Sequence, residues 1–226
     1  MSTVFFDIDR TLVKEATAFA MLRYYLKTGF LGWMHVVWGI FYAILHFFDL
    51  IDGHAIISRA LKPFEGMEAQ KVLDDCHRIF DERIHRHLYV EALDIIEEHR
   101  RKGDTVVLLT ATSKYLTIPI ARHLDLDYIA SDAVLDNGRF TTTMVEPIPY
   151  NDGKLIRARE WLQTHGGSLE DSYFYTDSHS DVPLLRAVGH PRVVNPDFRL
   201  ARLGQRMGWP IHRFNAILGD KNPQSP

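Results

Sequence analysis

Four aspartates, set in two pairs, are the residues of this chain best suited to chemistry. Asp7 and Asp9 close the run Val4-Phe5-Phe6, and Asp177 and Asp181 follow Tyr173-Phe174-Tyr175-Thr176. Short β-prone runs of this kind read as buried strands of a parallel sheet. Carboxylates just past such strands stand at the sheet's carboxyl edge, where open α/β sheets bind ligands. Four ionised acids gathered there repel one another. A hard cation such as Mg²⁺, which takes oxygen ligands, relieves that repulsion. The pattern predicts a metal-assisted reaction on a charged substrate, with one carboxylate left to attack.

The elements that must position these acids follow from periodicity. From residue 88 onward, helix and strand signals alternate: a helix over 91–102, a strand over 105–109, and a helix over 114–123 that Pro119 bends or restarts. A short strand over 128–130 is followed by an Asn137-Gly138 hairpin signal between β-prone flanks. Then come a helix over 154–164, a strand over 173–176, a helix over 182–187 and a last strand over 192–194. Such alternation predicts a doubly wound parallel sheet of the Rossmann-like α/β class, with the strand carrying Asp7 at its centre. Residues 15–87 break the pattern and read as helices over about 16–28, 31–49, 54–62 and 67–87. They predict an all-helical insert, giving a core of 1–14 and 88–226 with a cap of 15–87. The polar tail 219–226 reads as frayed.

Composition sets the remaining bounds. Hydrophobic residues make up 46% of the 226, enough for a core, and the net charge of −3 without a Lys/Arg tract predicts no nucleic-acid partner. Cys76 stands alone, so no intrachain disulfide can form, and its helical context reads as buried filler. No basic segment followed by an apolar run opens the chain, which predicts a cytoplasmic setting. Residues 30–48 carry no formally charged side chain and include Trp33 and Trp38. Their length would suffice for a bilayer, but one crossing would part Asp7 from Asp177. A buried cap helix is the first reading, and a peripheral, lipid-contacting face the second.

The quoted motifs resemble those of the haloacid dehalogenase-like superfamily of phosphatases. Its Asp-x-Asp-x-Thr motif matches Asp7 to Thr11, and its strand-ending Ser or Thr matches Thr110. Its helix-start Lys matches Lys154, and its acidic pair matches Asp177 and Asp181. All four stand in the family's order, and the helical insert after the first motif is similar to that of subfamily IB, which contains phosphoserine phosphatase.

The resemblance implies a Mg²⁺-dependent phosphomonoester hydrolase acting through an aspartyl phosphate. Asp7 would be the nucleophile, and Asp9 the general acid and base, with its backbone carbonyl on the metal. Thr110 and the Ala111 N–H would hold a phosphoryl oxygen, and Lys154 would balance the phosphate. Asp177 would bind Mg²⁺ directly and Asp181 through a water. Thr112 and Ser113 read as caps of the next helix, Ser178 and His179 as loop caps. Three positions depart from the family pattern: Arg10 stands where Gly or Ser is common, Ser180 where phosphoserine enzymes carry Asn, and Ala16 where they carry a substrate-binding Glu. Glu15 is one residue short of that place, and Arg23 or Arg59 could meet a substrate carboxylate. The expected substrate is a small phosphorylated metabolite of the phosphoserine or histidinol-phosphate type. The alternatives are a lipid phosphate, or phosphotransfer to an alcohol through the same intermediate.

Overall fold

A computed structural model describes residues 1–32, 34 and 61–220. The expected helices over 31–49 and 54–62, Trp33, Trp38, Arg59 and nearly all of the 30–48 segment lie outside the described residues, as does the tail beyond 220. Numbered over what is described, the elements run β1 (Thr3–Phe6), α1 (Thr17–Lys27), α2 (Ala69–Glu82), α3 (Val90–Arg101), β2 (Thr105–Ser113), α4 (Lys114–Leu124) and β3 (Asp127–Ser131). They continue with β4 (Ala133–Asp136), β5 (Arg139–Met144), α5 (Asp152–His165), β6 (Tyr173–Thr176), α6 (Val182–Ala187), β7 (His190–Val194), α7 (Phe198–Met207) and β8 (Ile211–His212).

Six strands form one sheet in the order β3-β2-β1-β6-β7-β8, every pairing parallel. The chain winds outward from β1 to β3, returns, and winds the other way from β6. This doubly wound sheet with helices on both faces is the α/β architecture predicted from sequence. Its order reverses between β1 and β6, and the carboxyl ends of strands at such a switch point are where open α/β sheets bind ligands. β1 is buried along its whole length, which explains its unbroken apolar run. Val4 and Phe6 face one apolar layer with Ile96 of α3 and Ile120 of α4. Phe5 faces the other, with Ala158 and Leu162 of α5 and Leu184 of α6.

Several local expectations are corrected. β2 runs to Ser113 rather than Leu109, with a register shift against β3 between those residues. α4 continues unbroken through Pro119 instead of restarting there. The 192–194 strand is not the last, because the amphipathic α7 follows it and β8 adds a two-residue edge to β7. The 67–87 helix ends at Glu82; Arg83 leaves helical geometry, and a 3₁₀ turn over Ile84–His87 follows. The Asn137-Gly138 hairpin forms as read, with both residues at positive φ, as a tight two-residue turn demands. Among the described residues no helix is long and apolar enough to cross a membrane.

One close approach positions the site. A Cβ on Gly153 would stand 1.8 Å from the Ile148 carbonyl oxygen, so only glycine allows the 148–153 loop to close onto the first turn of α5. Lys154 is the next residue. Gly153→Ala should therefore lower stability by about 1–3 kcal/mol, as overpacking does, and displace Lys154. An unchanged urea midpoint would contradict this packing.

Candidate active site

The Asp7 N–H donates to the Tyr175 carbonyl at 3.0 Å, carrying the β1–β6 ladder one residue past β1. Asp7 and Asp177 thus leave neighbouring parallel strands at the same edge. Beyond Asp7 the chain curls, and the N–H groups of Thr11, Leu12 and Val13 converge on the Ile8 carbonyl. Arg10 takes φ +58° within this curl. A left-handed conformation costs a residue with a Cβ about 1–2 kcal/mol, which rationalises glycine at this place elsewhere. The strain sits beside the buried acids, where a tightly determined environment can hold it.

Asp9 is half-buried and both of its carboxylate oxygens are engaged. Oδ1 accepts the backbone N–H of Thr17, the first residue of α1, at 2.7 Å; Oδ2 accepts the Thr112 hydroxyl at 2.9 Å. Thr112 is therefore not a cap of α4. Ser113 performs that task, accepting the Tyr115 N–H, and frees Thr112 for Asp9. Thr112 lies in the irregular end of β2, where the register against β3 shifts, so no periodicity marks it in the sequence. The Thr110 oxygen accepts the Thr112 N–H at 3.1 Å and keeps its own hydroxyl proton to donate.

Lys154 is buried between acids. Its Nζ lies 2.7 Å from Asp181 Oδ2 and 3.1 Å from Asp7 Oδ2. Burial alone would favour the neutral amine, but Asp181 and Asp7 outweigh it and raise the pKa. An ammonium at the start of a helix opposes the macrodipole, and these two acids offset that. The same Asp181 oxygen accepts the Thr176 hydroxyl at 2.5 Å, a partner the sequence did not suggest. Ser178 caps the short turn over His179–Asp181, and Asp197 pins this loop by accepting the His179 N–H and donating its own to the Asp177 carbonyl.

Negative charge is in surplus. Asp7, Asp177 and Asp181 are all buried, against one buried ammonium among the described residues, that of Lys154. Burial, and then Asp7 and Asp181, push Asp177 up to about 8; burial above all, opposed by Lys154, pushes Asp7 up to about 6. Among the described residues no hydrogen bond reaches the Asp177 carboxylate, and no three acidic, Cys or His side chains converge as a ready-made cage. Mg²⁺ requires no such cage, since one or two carboxylates, waters and substrate phosphate complete its octahedron. The Asp7 and Asp177 carboxylates and the Asp9 carbonyl supply hard oxygens only, so this donor set fits Mg²⁺.

Glu15 is engaged by neighbouring side chains. Arg83 donates to it through Nε and Nη2 at 2.7–3.1 Å, and His87 Nε2 stands 3.5 Å away. Cys76 is buried in α2, and burial pushes its thiol up to about 12, as befits packing rather than reactivity.

A doubly wound sheet with an aspartate pair at its switch point and a buried lysine beside them defines a phosphoryl-transfer fold. The chain belongs to the haloacid dehalogenase-like hydrolases, whose family model matches residues 4–186. Within them it falls in the phosphoserine-phosphatase-like branch, subfamily IB. It is similar to a phosphoserine phosphatase of Mycobacterium tuberculosis, 30% identical over 94% of this chain and 71% of that one. It is also similar to a histidinol-phosphatase of Neisseria meningitidis, 26% identical over 92% of this chain and 97% of the relative. A crystal structure of a Bordetella pertussis protein of unknown function superposes with a TM-score of 0.83 at 28% identity, covering 93% and 97% of the two chains. The chain is accordingly a phosphatase that hydrolyses through an aspartyl phosphate with Mg²⁺.

The charge surplus gives a pH-dependent expectation. Carboxyls raised above their unfolded values stabilise the metal-free fold at low pH, and that contribution is lost as pH rises from about 4 towards 8. A Mg²⁺ ion held by Asp177 would have to displace its proton, so the ion's stabilising effect should grow over the same range. Thermal unfolding should show a larger Mg²⁺-induced rise in Tm at pH 8 than at pH 6, and Asp177→Asn should flatten the difference. A Tm rise independent of pH would contradict the assignment.

Proposed function

We propose that Asp7 is the residue that becomes phosphorylated and that the substrate is a small phosphomonoester. The observation that carries this is the position of the Asp7 carboxylate: buried at the switch point, 3.1 Å from the Lys154 ammonium and past the end of the central strand. Asp7 attacks phosphorus opposite the ester oxygen. The bond from phosphorus to that oxygen breaks, and Asp9 gives it a proton. The Asp9 carboxylate then takes a proton from water, which attacks the phosphorus and releases inorganic phosphate and free Asp7. Splitting one slow hydrolysis into two steps suits a carboxylate, since the acyl phosphate is readily cleaved. The Thr110 hydroxyl and the Ala111 N–H hold a phosphoryl oxygen. Lys154, kept in place by Asp181, balances charge on the phosphoryl group. Asp7, Asp177 and the Asp9 carbonyl would hold Mg²⁺, and Asp181 would act on it through a water. The metal supplies neutralisation of phosphoryl charge.

The bridge from Glu15 to Arg83 and His87 speaks against the ammonium grip used by phosphoserine enzymes. With a histidinol-phosphatase among the relatives, histidinol phosphate is the first substrate to try. In Mg²⁺ buffer, its kcat/KM should exceed those of phosphoserine and lysophosphatidate by at least about tenfold, a ratio that a few pocket contacts supply. A preference for phosphoserine would contradict the reading of Glu15, and a preference for lysophosphatidate would favour the lipid-phosphate alternative. Inorganic phosphate should be the product even with added alcohols; transfer to an alcohol would make the chain a phosphotransferase. Asp7→Asn should remove turnover with the fold intact, and Asp9→Asn should slow it by about 10²–10⁴-fold. Normal turnover by purified Asp7→Asn would sink covalent catalysis at this residue.

A further inference from the structure

The Asp9 carboxylate is held by two donors from different parts of the molecule. The Thr112 hydroxyl comes from the end of β2, and the Thr17 N–H opens α1, the first helix of the insert. The two threonine hydroxyls are themselves 3.4 Å apart, and Thr17 is buried. One donor on each oxygen fixes both the direction and the twist of the carboxyl. Asp9 needs that support, because it stands half-exposed in a curl that lies outside any strand or helix.

We propose that Thr112 is a positioning residue for the general acid and base, aiming the Asp9 carboxyl at the ester oxygen together with the α1 N-terminus. The proposal rests on the reading of Asp9 as that acid and base. The two donors differ in kind. A backbone N–H can only donate, whereas a hydroxyl donates through its proton and accepts through its lone pairs. A carboxyl oxygen has more than one acceptor position, so Thr112 keeps donating to Asp9 Oδ2 while Asp9 holds its proton towards the ester oxygen and after it has passed that proton on. Mispositioning a reacting group by about 1 Å can cost about 10²-fold in rate, so one lost hydroxyl is enough to register. Because α1 supplies the second donor, the acid is fully aimed only when the insert sits against the core.

Leaving groups separate aiming from mere packing. An aryl oxygen departs without a proton, and an alkyl oxygen requires one, so loss of a well-aimed acid is felt on alkyl esters alone. The test compares wild type, Thr112→Val, Thr112→Ser and Asp9→Asn in Mg²⁺ on p-nitrophenyl phosphate and on an alkyl phosphate such as β-glycerophosphate, reading kcat/KM. Thr112→Val keeps the β-branched shape that suits the strand end. It should lose about 10–100-fold on the alkyl ester, a fraction of a full general-acid contribution, and much less on the aryl ester. Thr112→Ser should recover most of the loss. If Thr112→Val does not fold, Thr112→Ala against Thr112→Ser makes the same comparison. A leaving-group-dependent loss in Asp9→Asn but an equal loss on both esters in Thr112→Val would overturn the role of Thr112 alone. An equal loss on both esters in Asp9→Asn would overturn the reading of Asp9, and the proposal with it.

Discussion

The buried ammonium of Lys154, wedged between Asp7 and Asp181, is the interaction on which the rest of this structure depends. Three buried carboxylates meet at one sheet edge, and Lys154 is the only buried cation among the described residues. Taking charges out of water costs several kcal/mol per ion unless they are paired and hydrogen-bonded. Lys154 and the Thr176 hydroxyl meet that demand for Asp181, and Lys154 and the Ile8 N–H meet it in part for Asp7. Among the described residues no donor reaches Asp177, and burial, then Asp7 and Asp181, raise its carboxyl far above the ordinary range. The fold thus carries a deficit of positive charge at the place where a Mg²⁺ phosphatase binds its metal.

The insert enters and leaves the core at one place. Val13 bridges Leu88, the Lys14 N–H reaches the His87 carbonyl, and the Tyr89 N–H reaches Leu12. Glu15 on the entering strand is tied to Arg83 and His87 on the leaving side. On the entering side these links fall on Leu12 to Glu15, between Asp9 and Thr17, whose N–H holds the Asp9 carboxyl. The Glu15 side chain joins the two connections, while phosphoserine enzymes use a glutamate near this position for substrate.

Most of the sheet was legible because its strands are short, apolar and separated by clear helix signals. The places of Asp7 and Asp177 just past β1 and β6, and of Lys154 in the first turn of α5, were legible because each follows a short apolar strand or starts a helix; Thr110 lies inside β2 rather than at its end. What stayed hidden lacked a local signal. β8 is two residues long and gains its partner only from β7. The extension of β2 over Thr110 to Ser113 crosses a register irregularity that no alternation of side chains marks. Pro119 reads as bending or restarting the helix, yet α4 runs through it without a restart, since tertiary packing overrides a single missing N–H. Thr112 looked like one of two interchangeable caps; only the approach of Asp9, 103 residues away in sequence, distinguishes it from Ser113. Arg10 hid a left-handed turn that glycine would have announced.

The account stands or falls on a covalent bond to Asp7. Acid quenching during steady-state turnover, followed by intact-mass measurement and peptide mapping, reads it directly. The account predicts a fraction of the protein heavier by one phosphoryl group. The label should map to the peptide containing Asp7, be sensitive to hydroxylamine, and be absent from Asp7→Asn. A label on another residue, or active enzyme that shows no phosphoryl adduct even when Asp9→Asn slows its hydrolysis, would contradict it.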